Sequence, residues 1–565
     1  MAAVAPSATS ATAQLERGEL VGFVHFDQSA PDNMTCQLLV RRERVGLLLR
    51  NRFVRITNPT ERGAESKVYL ARIVEGPFFR PEEVSPDSAI AEAPILQGDD
   101  FPALPNYYAV GGLEILGELD GFVVRGTNSR PAPKARVELL SAAELRELLK
   151  VKGDLFAGEL DGYLDLRIAL DSTSKAVLPR NVGIFGTVGS GKTNTSQVLI
   201  EGLADAGWSV IVVDVEGEYV SMDAPATVLT TKLKALGIEP VGLKNFHVYK
   251  PAAGDSVRAD AQSFTLRTAD LDPLVLTELL EPSEAQERRL LEVIEWLRHE
   301  YEKGGASDQK TKKEPTSISE ALRGRPKEEL GVPYTLEKLI ATIDEWAFVA
   351  KPTKSGAGKP AAGADLYSYL ALKGKLGGLK RTGAFDTPGV PPISARELLR
   401  PGRVSIFDVS YSNDRLKNLV IAQLLRFLFE AKRDDESLPH AMIVIEEAHT
   451  FISADRSSRM QETIELLREI ARRGRKRWLG LTFISQQPSH LPSEIFELCN
   501  TRVVHSIKSD ANLRALRSTA GDVRSEMWGL VPALGVGQCL LSTPQYRDPL
   551  VVNVRPCRTR RQFVE

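Results

Sequence analysis

The rhythm of apolar positions changes twice along this chain. From residue 18 to about 140 they come in short, partly alternating runs, LVGFVHF, CQLLV, RVGLLL, FVRITNP, KVYLARIVEG, GGLEILGEL and GFVVRG, separated by Gly, Pro, Asn and Asp. Short runs bounded by turn formers predict strands, and this many in succession predict a small all-β barrel or sandwich. Residues 142–150 (AAELRELLK) predict a short helix at its exit. Beyond it the runs become continuous: RNVGIFG (180–186), WSVIVVDV (208–215), RVSIFDVS (403–410), HAMIVIEE (440–447), LGLTFIS (479–485), TRVVHSI (501–507) and QCLLST (538–543). Runs of this kind belong to strands buried on both faces of a mostly parallel sheet.

Between the second and third of these strands, TELLEPSEAQERRLLEVIEWLRHEY and TLEKLIATIDEWAFVA repeat apolar residues at helical spacing, while GGASDQKTKKEPTS (304–317) and KPTKSGAGKPAAGAD (351–365) have loop composition. The expected organisation is a tail (1–17), a β-barrel (18–140), an α/β core in two parts (141–272 and 401–545) around a helical insertion (273–400), and a C-terminal tail (546–565).

Composition narrows the function classes. With 72 Lys+Arg against 74 Asp+Glu in 565 residues, the net charge of −2 excludes a uniformly basic nucleic-acid coat, so any such contact comes from local patches. The four cysteines, Cys36, Cys499, Cys539 and Cys557, form no C-x-x-C pair, which argues against a disulfide framework or zinc ribbon and for a cytoplasmic setting. No apolar run approaches the ~20 residues needed to cross a bilayer, so no membrane partner is expected. The histidines show no metal-ligating spacing.

The chemistry concentrates in four motifs. Gly186-Thr187-Val188-Gly189-Ser190-Gly191-Lys192-Thr193 matches G-x-x-x-x-G-K-[ST] between a strand and a helix, so its backbone, with Asn194 following, is expected to bind a nucleotide polyphosphate. Lys192 is expected to reach the β- and γ-phosphates and Thr193 to bind Mg²⁺. A second strand ends in Glu446-Glu447, placing the first carboxylate for the metal and the second as general base. The third motif, Asp214-Val-Glu-Gly-Glu-Tyr219, brings Asp214 toward metal or phosphates. The absence of N-K-x-D favours ATP over GTP. In the fourth, Arg468, Arg472, Arg473, Arg475, Lys476 and Arg477 precede a strand ending at Gln486. Arg473 or Arg475 is expected to neutralise γ-phosphate charge and Gln486 to sense that phosphate.

The order barrel, GTVGSGKT, DVEGEY, helical insertion, VIEEAHTFI and EIARRGRKRWLGLTFISQQPSHLPSEIFELCNTRVV resembles the HerA family of the HerA/FtsK superfamily of hexameric DNA translocases, by motif over 180–545 and by architecture over 18–140. The resemblance implies a RecA-like P-loop NTPase core in a homo-hexameric ring, ATP and Mg²⁺ at subunit interfaces, double-stranded DNA in the channel, and a barrel that docks a partner. It assigns roles to Lys192, Thr193, Asp214, Glu447 and Gln486, and to Arg180 and one of Arg473 and Arg475, one or both of these arginines acting from a neighbouring subunit. The chain departs from the family in reading DVEGEY for DPHGEY and QQPS for QRPS. Its end, VVNVRPCRTRRQ, resembles a tail that reaches over an adjacent nucleotide site. The implied partner is a separate NurA-like nuclease or sirtuin-like NADase effector, in DNA end processing or antiphage defence. Arg415 and Lys417 are candidate channel residues. Competing expectations are a ring scaffold that activates an effector without moving DNA, and a secretion or conjugation-type ATPase.

Overall fold

The computed structural model describes residues 18–27, 34–60, 66–97, 106–308, 333–353, 356–450, 461–521 and 523–563. The alternating first part of the chain forms β1 (Leu20–Val24), β2 (Thr35–Arg41), β3 (Phe53–Thr57), β4 (Val68–Pro81), β5 (Tyr107–Asp120), β6 (Val123–Arg125) and β7 (Arg136–Leu139). They pair in the order β2-β1-β7-β3-β4-β5-β6, and β2 also pairs with β5, so six of them close into a barrel with β6 outside the ring. Closure satisfies the strand edges that an open sheet would leave bare. Alternate residues point inward, so Val21, Leu38, Val54, Ile56, Tyr69, Ile73, Leu113 and Val137 fill a solvent-free core. RVGLLL, expected as a strand, is instead covered by the 3₁₀ turn Arg42–Leu47 and the residues after it. There Arg44 Nη1 donates to Leu20 O at 2.7 Å, and Leu48 is buried against the barrel core. β7 takes the place between β1 and β3. The expected helix follows as Ala142–Leu148, started by a capping box between Ser141 and Glu144. After it come β8 (Leu155–Leu160) and β9 (Arg167–Leu170).

A second compact unit, residues 172–501 with 509–519 and 556–565, holds the continuous apolar runs. Its strands are β10 (Val182–Phe185), β11 (Ser209–Asp214), β12 (Phe246–Pro251), β13 (Gln262–Phe264), β16 (Val404–Asp408), β17 (Ala441–Ile445) and β18 (Leu479–Ser485), ordered β13-β12-β16-β11-β17-β18-β10; a separate two-stranded ladder is formed by β14 (Pro352–Thr353) and β15 (Gly356–Ala357). Every neighbouring pair in this run is parallel. Parallel neighbours need crossover connections, which helices supply, and the covered strands β11, β16, β17 and β18 are buried at every residue. β12 and β13 were not among the expected strands, because His247, Lys250 and Gln262 break the apolar run.

The insertion is helical: Pro273–Leu280, Glu284–Asp308, Leu336–Phe348 and Ala364–Arg381. The first two helices separate at Glu281, which turns to φ 44° before Pro282. Trp296, Trp346 and Tyr369 meet edge to face, at 5.8 and 6.4 Å, and tie three of these helices together. The helix expected to end near Tyr301 runs on through Gly304 and Gly305 to Asp308, so the loop expected over 304–317 begins later and its remainder, 309–317, lies outside the described residues. Of the second loop segment, residues 351–365, part is the β14–β15 ladder and its end is helix. Among the described residues no helix is long and apolar enough to cross a membrane.

The chain then returns to the first unit, which consists of everything up to Asp171 together with Arg502–Lys508 and Ala520–Arg555. Here β19 (Thr501–Val504), β20 (Gln538–Ser542) and β21 (Leu550–Val554) join β8 and β9 in an antiparallel ladder. Residues 141–171, expected in the ATPase core, thus group with the barrel. Arg72 locks barrel to ladder: it is buried, pairs with Glu114 at 2.6 Å and donates to Pro549 O at 2.8 Å, while Arg524 reaches the other oxygen of Glu114 at 3.0 Å. Removing one member of a buried ion pair strands the other's charge, so Glu114→Ala is expected to lower unfolding free energy by about 3–5 kcal/mol. Denaturant unfolding of the full chain measures this, and Asp120→Ala at an exposed pair serves as the comparison with an expected loss below about 1 kcal/mol.

Candidate nucleotide-binding site

β10 runs straight into the glycine-rich loop. Gly186 N–H donates to Ser485 O at 3.4 Å, and the loop then turns through Gly189 (φ 71°) and Gly191 (φ 112°), conformations that side chains resist. The amide and hydroxyl of Ser190 both donate to Thr187 O, at 3.3 and 2.7 Å, and Lys192 Nζ donates to the same carbonyl at 3.0 Å. Val188 sits exposed at the tip. Lys192 and Thr193 open the 14-residue helix Lys192–Asp205, whose free N–H groups and dipole favour an anion. Burial lowers the Lys192 pKa against the opposing pull of Glu447, Glu218 and Glu446.

Pairing brings the acids to this loop. β17 pairs with β18 through Ile445 and Phe483, and β18 pairs with β10 through Ser485 and Phe185, so the residues that follow all three strands emerge along one edge of the sheet. Glu447 has a left-handed backbone, φ 44°. Its Oε1 accepts from Gln486 Nε2, and its Oε2 lies 3.1 Å from His449 Nδ1. His449 Nδ1 also lies 3.2 Å from Ser485 Oγ. Burial alone would raise the Glu447 carboxyl, but His449, Gln486 and the charge of Lys192 outweigh it and hold the group below its usual range. Glu447 is therefore an ionised acceptor near neutral pH.

The other two expected acids are turned toward the protein. Asp214 Oδ1 accepts from Gly217 N (2.7 Å) and Glu218 N (3.1 Å), and Oδ2 accepts from Tyr219 N (2.9 Å). Glu446 Oε2 accepts from Val215 N at 3.2 Å. Burial raises the pKa of both, Asp214 to about 6 and Glu446 well above the usual carboxylate range, and each carboxyl opposes ionisation of its neighbours. The carboxylate on Thr193 is Glu218, whose Oε2 accepts from Thr193 Oγ1 at 2.7 Å. Sequence reading passed over Glu218; its signal was a third acid in DVEGEY, one residue before a tyrosine.

Asn194, expected to bind the nucleotide, accepts from Cys557 N at 2.9 Å. The chain's end lies along the helix of its own P-loop: Arg558 N, Thr559 N and Thr559 Oγ1 donate to the buried Glu201 Oε1 at 2.8, 2.9 and 2.8 Å. The arginines spread out. Arg473, at the end of the helix Gln461–Arg473, is exposed and pairs with Glu469 at 2.6 Å, Arg475 is exposed on the turn Gly474–Arg477, and Arg180 Nε is buried with no hydrogen-bond partner among the described residues. Lys417 lies on the helix Asp414–Asp434; the Arg415 side chain lies outside the described residues.

The donor set fits a polyphosphate and a divalent cation: a loop with two left-handed glycines, a buried ammonium at a helix N-terminus, and a hydroxyl facing a carboxylate. With a parallel sheet behind it and an ionised Glu447 beside it, this is a P-loop NTPase. Two family models match, "Helicase HerA, central domain" over residues 155–428 and "Helicase HerA-like C-terminal" over 365–560. The chain belongs to the HerA helicase family and is a P-loop ATPase. The "DNA double-strand break repair helicase HerA" of Pyrococcus furiosus is 22% identical over 490 residues, 80% of this chain and 78% of that protein. The "Probable DNA double-strand break repair helicase HerA" of Methanocaldococcus jannaschii is 24% identical over 454 residues, 79% and 85% of the two chains. Among solved structures, VirB4 of Thermoanaerobacter pseudethanolicus aligns over 72% of this chain and 97% of its own, at 15% identity and TM-score 0.47.

Glu447→Gln keeps the shape and removes the carboxylate charge. Its ATP turnover is expected to fall about 10²- to 10⁴-fold with nucleotide affinity retained, as measured by phosphate release beside equilibrium binding of a fluorescent ADP analogue.

Proposed function

We propose that this chain is an ATP-driven motor that acts on double-stranded DNA as a homo-hexameric ring and works with a separate effector, a nuclease or NADase, in DNA end processing or antiphage defence. The observation that carries the reading is Glu447, tethered by Gln486 at the sheet edge that also bears Lys192, with Lys192 inside the match to the HerA central-domain model and Glu447 and Gln486 inside the match to the HerA-like C-terminal model. The printed names of the archaeal relatives, double-strand break repair helicases, support DNA as the substrate.

In this reading Lys192 and the N-terminus of its helix hold the β- and γ-phosphates. Thr193, its hydroxyl proton directed to the carboxylate it faces, would hold Mg²⁺, which when bound neutralises phosphate charge. Glu447 orients a water toward the γ-phosphorus and takes its proton. Gln486 lies in hydrogen-bond reach of that base, so a shift of Glu447 on turnover is felt at the end of β18. Arg473 and Arg475, exposed on one subunit, and Arg180 are the arginines offered to a neighbour's site, where a guanidinium stabilises charge on the transferring group. Backbone phosphates of DNA are held by Lys and Arg side chains without base reading, which makes the interaction salt-dependent.

Linear duplex DNA is expected to stimulate ATP turnover, less so at about 200 mM than at about 50 mM salt. Lys192→Ala is expected to abolish both basal and stimulated turnover. Turnover that depends on Lys192 and Glu447 but ignores DNA would favour the scaffold that activates an effector.

A further inference from the structure

The structure assigns Glu218, rather than Asp214 or Glu446, as the carboxylate that positions Thr193 for the magnesium ion; this rests on the nucleotide-binding role proposed above.

A threonine hydroxyl has one proton and two lone pairs, so it offers a lone pair to a cation cleanly only when its proton is directed to an acceptor elsewhere. Glu218 Oε2 is that acceptor, at 2.7 Å from Thr193 Oγ1. Asp214 and Glu446 are spent otherwise. Both oxygens of Asp214 accept backbone N–H groups of residues 217–219, and Glu446 accepts Val215 N, so these two buried acids build the loop that carries Glu218. Gly217 at the turn has φ 76°, and a Cβ there would meet Val257 Cγ2 at 2.7 Å. Two residues further, Tyr219 is fully buried and its hydroxyl lies 2.7 Å from Ser196 Oγ, one turn along the P-loop helix from Thr193. Asp214 thus holds the loop from the sheet side and Tyr219 fastens it to the helix, leaving Glu218 little freedom to leave Thr193. Partly exposed in this place, the Glu218 carboxylate can also meet a water of the magnesium shell. Mg²⁺ in such sites retains several waters and needs only one or two carboxylates beside the phosphates. Glu218 is therefore a positioning residue: it acts on the cation through Thr193.

The test separates magnesium from nucleotide. Binding of N-methylanthraniloyl-ADP to the full chain is measured by fluorescence in EDTA and across a Mg²⁺ titration, for the native protein, Glu218→Gln, Glu218→Ala and, as a control, the exposed neighbour Glu216→Ala. Glu218→Ala is expected to bind the analogue in EDTA at least as well as the native chain, but to need about 10- to 100-fold more Mg²⁺ to reach half of the magnesium-dependent gain. Glu218→Gln, which keeps an acceptor oxygen without its charge, is expected to fall between. Glu216→Ala should match the native curve. A native magnesium midpoint in Glu218→Ala overturns the inference, as does an equal loss of binding in EDTA and in magnesium while Glu218→Gln stays native. Failure of the native chain to bind the analogue at all would instead sink the nucleotide-binding reading.

Discussion

Parallel pairing of β18 with both β17 and β10 is the constraint on which the site depends. Glu447, Gln486 and the P-loop are separated by long stretches of sequence, and they share one sheet edge only because Ile445, Phe483, Ser485 and Phe185 fix the register of three neighbouring strands. These strands carry no catalytic side chain themselves. Every residue of β17 and β18 is buried, so a slip along the ladder would carry buried side chains into new surroundings, and packing resists it. The chemistry is thus positioned by apolar burial and delivered by the residues just past each strand's end.

The P-loop helix is held along its length as well as at its start. Ser196 meets Tyr219 from the loop after β11, and Glu201, fully buried, collects two backbone N–H groups and a hydroxyl from the chain's end. A buried carboxylate is tolerated only where such donors compensate its lost hydration. The tail therefore belongs to the second unit's structure, as part of what keeps Asn194 and its neighbours in place.

The core and the P-loop were legible because their signals are local. Continuous apolar runs mark strands covered on both faces, and a glycine-rich turn between strand and helix has few other uses. The partition among carboxylates was only partly legible: position at a strand's end set the roles expected of Asp214, Glu446 and Glu447, but nothing local singled out Glu218. Only the fold shows which of them spend their oxygens on backbone amides. RVGLLL misled for a related reason: its leucines look like a strand, yet the segment turns through a 3₁₀ helix, with Leu48 packed into the barrel core and Leu49 exposed. The ladder that returns residues 502–508 and 520–555 to the first unit was hidden too, because long-range pairing leaves no mark at either end.

Displacement of a third strand from a linear duplex tests the central claim most directly, since a motor moving along the duplex must strip an annealed triplex oligonucleotide in its path. The account predicts release with ATP, none with a non-hydrolysable analogue, and none for Lys192→Ala or Glu447→Gln. ATP turnover at the native rate with the triplex left intact would contradict it.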